Sequence, residues 1–332
     1  MQKVAIIGSG YIGKSHIEAY NQISKDRAQV VALIEANKQA GLVAAALAGA
    51  DYYPSLSEAA ANVDFDIVDI CLPTFLHKEF TISAANLGKH ILCEKPAALS
   101  VAEFDEMVSA CKQNGVKYMT GQVVRFFSAY SAAAKRVKSE ELGQIHMVSQ
   151  KRLCQNPSWT GWHTDPNKSG GGLYDLNTHD IDFIYSLFGM PKSLTAVGWK
   201  NKTGCWNHIS TLLKWEDKQA VCETSMEMTG DFPFTAGFTI TADNGTLVFN
   251  STAGENIRYA EITNQFNFYP ANKDKETVPL ADIDPFKEEI EAFLSAIENN
   301  EEVPILTEET RNVLKILEAT KEALETGKTI YF

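Results

Sequence analysis

The first thirteen residues restrict the fold more than any other stretch. Lys3-Val4-Ala5-Ile6-Ile7 is apolar after its first residue and reads as a buried strand. It runs into Gly8-Ser9-Gly10-Tyr11-Ile12-Gly13, and a helical pattern continues to about Tyr20. This is G-x-G-x-x-G in the strand–turn–helix setting of a dinucleotide-binding loop. Gly8 permits the tight turn, Gly10 lets a pyrophosphate approach the backbone, and Gly13 lets the helix pack close on the strand. The helix start offers N–H groups and a partial positive charge to the phosphates. A glycine turn without a ligand has the same sequence, so the second strand and its last residue carry the distinction. That strand, over 30–34, ends at Glu35, 22 residues beyond Gly13, close to the spacing of an acid that binds the adenosine ribose.

The alternation continues. An alanine-rich helix over 37–48, a short strand near Tyr52-Tyr53 and a helix from about Ser55 precede the strand Ile67-Val68-Asp69-Ile70-Cys71-Leu72. Leu72-Pro73-Thr74 ends that strand and His77 opens the next helix. A strand at Ile91-Leu92-Cys93, a helix over 100–114 and a strand over 117–120 come next. Strand and helix taking turns call for a parallel, doubly wound sheet. The strand at Ile91 runs into Glu94-Lys95-Pro96. Pro96 has no N–H, so it cannot continue a central ladder, and it biases Lys95 towards an extended conformation. Ligands bind at the carboxyl ends of the strands in an open α/β sheet. Lys95 is therefore a catalytic candidate, although a lysine there is by itself more often a surface residue.

From residue 122 the pattern changes. A helix over 128–138 precedes strand-like runs at 145–151, 193–199, 208–215, 220–226, 238–241 and 246–249. Asp243-Asn244-Gly245 between the last two is a hairpin signal. Strands without intervening helices predict a mainly antiparallel sheet. Helices near 285–297 and 308–325 close the chain. Between these lies Gly170-Gly171-Gly172, followed by a predicted helix over 173–188 that Gly189 and Pro191 end. On it Leu176, Phe183, Ile184 and Leu187 share one broad face, and Asp175, His179 and Asp182 share the opposite one. Asp175 can thus orient or charge-balance His179. A solvated face of an amphipathic helix would look the same. Asp180 falls on the apolar side, and the sequence gives no account of it.

A net charge of −12 weighs against a nucleic-acid or acidic-membrane partner. The acidic residues between Asp282 and Glu302 read as a solvated helix face and loop. None of the six cysteines is spaced as C-x-x-C, which suggests neither a zinc site nor a redox pair and fits a reducing compartment. The start of the chain has no signal-peptide layout, and no apolar run approaches ~18 residues. A cytoplasmic location is expected.

With these residues in hand, the chain resembles the glucose–fructose oxidoreductase / inositol dehydrogenase / MocA family over nearly its whole length. The resemblance rests on the N-terminal glycine turn, on Leu72-Pro73-Thr74 with His77, on Glu94-Lys95-Pro96, and on Gly171-Gly172-x-x-Asp175-x-x-x-His179-x-x-Asp182. It implies an α/β fold with an N-terminal Rossmann domain over 1–121. A C-terminal α/β domain over 122–332 would carry an open, mainly antiparallel sheet whose face joins a homodimer or homotetramer. It implies Lys95, Asp175 and His179 as the catalytic group, and no metal is expected because the sequence shows no cluster of metal ligands. Cofactor contacts would come from Gly8, Ser9, Gly10, Tyr11, Ile12, Gly13, Glu35, Leu72, Pro73, Thr74, His77, Glu94 and Lys95. Arg125, Trp162 and Asp165 receive only a general substrate-side role. The activity expected is hydride transfer between nicotinamide and a secondary alcohol of a sugar, cyclitol or related polyol, with NAD preferred over NADP. The competing reading is a nucleotide-binding sensor or assembly protein of the same fold without turnover. Retention of Lys95, Asp175 and His179 together argues against it.

Overall fold

In the computed structural model, which describes residues 1–156, 161–253 and 262–332, the opening strand β1 (Gln2–Ile7) sits inside a six-stranded sheet. After it come α1 (Tyr11–Tyr20), β2 (Ala28–Ile34), α2 (Lys38–Ala48), β3 (Asp51–Tyr53), α3 (Leu56–Asn62), β4 (Ile67–Ile70), α4 (His77–Asn86), β5 (His90–Glu94), α5 (Val101–Gln113) and β6 (Tyr118–Gly121). The strand order is β3-β2-β1-β4-β5-β6 and every pair is parallel. The order reverses between β1 and β4, the crevice where doubly wound sheets take their ligands. The glycine turn leaves β1 there and Leu72 leaves β4. Strands covered on both faces run apolar, as Val4, Ile6, Ile67 and Leu92 show by complete burial. Helix starts obey local chemistry: Ser55 and Ser100 cap α3 and α5 by accepting from the amides of Glu58 and Glu103.

The remaining elements are α6 (Ser128–Lys138), β7 (Ile145–Gln155), α7 (Pro166–Ser169), α8 (Gly172–Asp175), α9 (Asn177–Phe188), β8 (Ser193–Lys200), β9 (Trp206–Lys214), β10 (Gln219–Met228), β11 (Phe234–Ala242), β12 (Gly245–Ala253), β13 (Thr263–Pro270), β14 (Glu276–Thr277), α10 (Pro285–Glu298), α11 (Thr307–Thr326) and β15 (Ile330–Tyr331). Nine strands form a second sheet in the order β14-β13-β12-β11-β7-β10-β9-β8-β15. Its pairs are antiparallel except β7 with β10. The Asp243-Asn244 turn joins β11 to β12, with Ala242 opposite Gly245.

The chain divides into two compact units, one of 1–126 with Ile283–Arg311, the other of 127–282 with 312–332. The first unit thus takes back a segment that the sequence pattern assigns to the second domain. The cause is apolar: Ile290, Phe293 and Leu294 of α10 join Val4, Ile17 and Leu33 in one buried cluster. The helix expected over 173–188 is two helices, α8 and α9, separated at Leu176. Asn177, just past the break, is buried and accepts a hydrogen bond from the Thr224 hydroxyl of β10 at 3.0 Å.

Candidate active site

In the first unit the glycine turn has the geometry that its sequence requires. Gly8 has φ +103°, and a Cβ there would lie 2.4 Å from the Cys71 carbonyl oxygen. A Cβ on Gly13 would lie 2.2 Å from the Gly8 carbonyl oxygen. Gly10 differs, because a Cβ there would meet nothing within 4 Å among the described residues. No side chain caps the start of α1. The start of α1 thus has open space beside Gly10, which fits a pyrophosphate approaching the helix N-terminus.

Glu35, just past β2, lies against this turn. Its Oε2 accepts from the Ser9 amide at 3.1 Å and the Ser9 hydroxyl at 2.8 Å, and its Oε1 accepts from the Asn37 amide at 2.9 Å. A carboxylate has about four acceptor positions, so capacity for a ribose hydroxyl is left. The neighbouring cleft is lined by Ser9, Lys14, Asn37, Gln39, Ala40 and Val43.

At the ends of β4 and β5 the structure sorts the motif residues by depth. Leu72, Pro73 and Lys95 are half-buried, whereas Thr74, His77 and Glu94 are buried. The His77 ring spans two loops: Nδ1 lies 2.9 Å from the Pro96 carbonyl and Nε2 lies 2.7 Å from that of Leu72. Burial lowers its pKa, against the pull of those carbonyls. A neutral ring donates to one of these two carbonyls and packs against the other, so His77 lies between the loops that carry Thr74 and Lys95. β5 stops at Glu94, as the proline predicts, and the Lys95–Pro96 peptide is cis. Arg125 also belongs to this unit, where its guanidinium pairs with Glu309 at 2.9 Å.

The second unit gathers the other candidates. Gly171 has φ +68°, and a Cβ there would lie 2.8 Å from the Cys205 Cβ. The Gly172 amide donates to Asn207 Oδ1 at 2.8 Å, while Asn207 Nδ2 donates to Glu227 at 2.7 Å. This fixes the start of α8 and hence Asp175 at its end. The Asp175 carboxylate lies 3.8 Å from Nε2 of His163, whose ring stacks on Trp162 at 3.8 Å. Sequence reasoning missed His163. Its signal was weak: one histidine in a loop, next to a tryptophan already named. Asp165 caps α7 through the Asn167 amide at 3.0 Å and lies 3.8 Å from Lys168. Asp175 and His179 are both half-buried, on either side of the break at Leu176. Asp182 does not share their exposure, because it is fully buried.

The structure also accounts for Asp180. It is fully buried and accepts from Arg152 of β7 at 2.9 and 3.2 Å, and Arg152 reaches the Tyr130 hydroxyl at 3.1 Å. Burial pushes the Asp180 pKa up while Arg152 pulls it down; burial likewise pushes Tyr130 up to about 12. This is a structural ion pair on the packed side of α9.

Known proteins divide in the same way. The model of the oxidoreductase family's NAD-binding Rossmann fold, Gfo/Idh/MocA, matches residues 2–122, and the model of its C-terminal domain matches residues 130–248. The chain is 29% identical to a scyllo-inositol 2-dehydrogenase (NADP(+)) of Bacillus subtilis, over 76% of each chain. It is 33% identical to a 2,7-anhydro-N-acetylneuraminate hydratase of Mediterraneibacter gnavus, over 58% of this chain and 51% of that one. The chain spans about half the length of some of the curated relatives that it matches, the hydratase among them. Among solved structures, the aldose-aldose oxidoreductase of Caulobacter crescentus shares the fold with a TM-score of 0.87, at 21% identity, over 100% of this chain and 99% of that one. No helix among the described residues is long and apolar enough to cross a membrane. Two matched domains in the expected order, carrying the glycine turn, Glu94-Lys95-Pro96 and the Asp175/His179 helix pair, place this chain in the Gfo/Idh/MocA oxidoreductase family.

Proposed function

We propose that this protein transfers a hydride between a nicotinamide dinucleotide and a secondary alcohol of a sugar, cyclitol or related polyol. The observation that carries it is Lys95 at the carboxyl end of β5, in the sheet whose switch point bears the open glycine turn. A bound nicotinamide supplies the hydride acceptor or donor. His179 takes the hydroxyl proton, since an imidazole titrates near working pH. Lys95 donates a hydrogen bond to the same oxygen and stabilises its developing negative charge. Asp175 orients the histidine side of the site and binds substrate hydroxyls, with His163 Nε2 3.8 Å from its carboxylate.

The test is NADH titration by fluorescence, then turnover of scyllo-inositol, myo-inositol, D-xylose and D-glucose. His179→Ala and Lys95→Ala should each lower kcat by at least ~10²-fold, the lower range for a positioned acid or base. NADH affinity should change far less for His179→Ala. Near-wild-type turnover in both variants would sink the assignment. The hydratase relative supports a second reading, addition or loss of water without net change in NADH. Assaying 2,7-anhydro-N-acetylneuraminate for product as well as for NADH separates the two. NADH binding with no turnover of any substrate would favour the sensor.

NAD is the cofactor that Glu35 favours. Facing the 2′-oxygen of the adenosine ribose, it accepts from a hydroxyl, but it repels a phosphate of about −1.5 to −2 charges. Like charges at ~4 Å repel by about 1 kcal/mol in water and by several at a shielded site. Lys14 in the cleft and Lys38 offset part of this. The expected preference in kcat/KM is at least ~10-fold, or ~1.4 kcal/mol. Glu35→Ser should shrink it, mainly by weakening NAD use. Equal use of NADP by the wild type would refute this role of Glu35. Assembly into a dimer or tetramer, through the face of the nine-stranded sheet away from α6 and α9, completes the proposal.

A further inference from the structure

Resting on the assignment of Lys95 as catalytic, we infer that His16, Asp69 and Glu94 form a buried positioning chain. Through it, the helix beneath the glycine turn sets the direction of the lysine. His16 lies three residues past Gly13 on α1 and is fully buried. Its Nδ1 lies 2.8 Å from Asp69 Oδ2 on β4, and its Nε2 lies 3.1 Å from Glu94 Oε1 at the end of β5. The other Glu94 oxygen accepts the Lys95 amide at 3.0 Å. Three consecutive contacts thus run from β4 through α1 to the backbone of Lys95.

A carboxylate on each ring nitrogen is satisfied only by the imidazolium, because a neutral ring donates once. Burial works against that charge, but Asp69 and Cys71 together raise the His16 pKa well above its usual range. The Cys71 thiol donates to the other Asp69 oxygen at 3.5 Å. Glu94 is confined from the far side as well. A Cβ on Gly121, its register partner on β6, would lie 3.0 Å from Oε1. The ladder ends at Glu94, so the Lys95 amide has this side-chain acceptor where the next strand contact would have been. Asp69, Cys71, His16 and Glu94 are all buried, so none of them can itself touch substrate. They act on Lys95 by position.

Ligand atoms of His16, Glu94 and Glu289 also lie within 4.8 Å of one another, near enough to surround a cation. The short contacts at both ring nitrogens favour a proton instead.

The experiment is a double-mutant cycle in the full chain, read by kcat on the best substrate among the inositols, D-xylose and D-glucose and by NADH Kd. Because Glu94 is buried, on this inference it does not make the cofactor contact that the resemblance implies, and Glu94→Ala should lower kcat at least ~10-fold while moving NADH Kd less than ~3-fold. Glu94→Gln should recover most of that loss. Its carbonyl still accepts the Lys95 amide, and its amide can donate to a neutral His16. Lys95→Ala combined with Glu94→Ala should be no slower than Lys95→Ala alone, since residues acting as a unit are not additive. If Glu94→Ala does not fold, His16→Gln replaces it in the cycle with the same expectations. Wild-type kcat in Glu94→Ala or His16→Gln, with Lys95→Ala impaired, overturns the chain and leaves the catalytic lysine standing. So do losses that multiply. Wild-type kcat in Lys95→Ala removes the lysine's role and the chain with it. A stoichiometric transition metal in the purified protein, absent from His16→Gln, overturns the chain in favour of a metal site.

Discussion

Gly10 and Gly13 are separated by two residues and are glycine for different reasons. At Gly13 the fold itself forbids a side chain, since the obstructing atom is the Gly8 backbone carbonyl. At Gly10 the fold leaves the direction open and φ is −68°, so an alanine fits the free protein. What would exclude it is a ligand drawn against the backbone. Gly10→Ala should keep Tm within ~2 °C of wild type and raise NADH Kd at least ~10-fold. Gly13→Ala should instead lower Tm by more than ~4 °C, because overpacking typically costs about 1–3 kcal/mol. Thermal scans paired with NADH titration decide. Undiminished NADH binding by Gly10→Ala would mean that the pyrophosphate approaches elsewhere. Such roles are legible in a sequence because their spacing is local. His16 was not, since it owes its place to Asp69 and Glu94, distant in sequence, and His163 was a single histidine in a loop. Asp69, a carboxylate in an otherwise apolar strand, was the available clue that a buried cation must face it.

The contact of Arg152 with Asp180 works between elements, tying β7 to α9, and Tyr130 adds α6. Three elements share one buried charge pair, so removing one member strands the other. Asp180→Ala should cost about 3–5 kcal/mol in urea unfolding, as for other broken buried pairs. A loss under ~1 kcal/mol would show that water or a neighbour takes over the guanidinium. The contact explains a residue that helical periodicity could only mark as out of place. Elsewhere periodicity served well. The central strands of the parallel sheet, β1, β2, β4 and β5, carry their own apolar runs, and caps such as Ser55 and Ser100 mark their helices. It failed where long-range contacts decide. Asn177 is tied to Thr224 beside the break between α8 and α9, which no local pattern announces. The apolar stripe of α10 foretold a helix but not which core it fills. β13 alternates in sequence, with Phe266 and Phe268 buried, yet its polar composition hid it.

At the scale of the whole molecule, the described residues cover one face of the nine-stranded sheet. Phe238 of β11 packs there against Tyr130 of α6 and Phe183 of α9, with ring centroids 5.2 and 5.8 Å apart. Side chains alternate along a strand, so residues of the other parity point away from those helices. On β8 these include Val197 and Trp199, at 71% and 52% exposure. Their register partners on β9 are Ser210 and His208, and Leu212 and Val221 pair across β9 and β10 on the same face. Trp199 stacks on His208 at 4.0 Å. Five neighbouring strands span about 24 Å by 26 Å, on the order of 600 Å². That is the order of the ~800 Å² per partner of a standard interface. An apolar strip of this kind among polar residues favours association with a second copy, and a two-fold axis lets one patch meet itself. The protein should therefore be a dimer or tetramer at micromolar concentration by light scattering. Val197→Glu with Trp199→Glu should yield a smaller species. Tm of the separated subunit should then reflect only the lost assembly, because neither side chain fills a core. A wild-type monomer would reject association altogether, and an unchanged oligomer in the double variant would move the interface to another face.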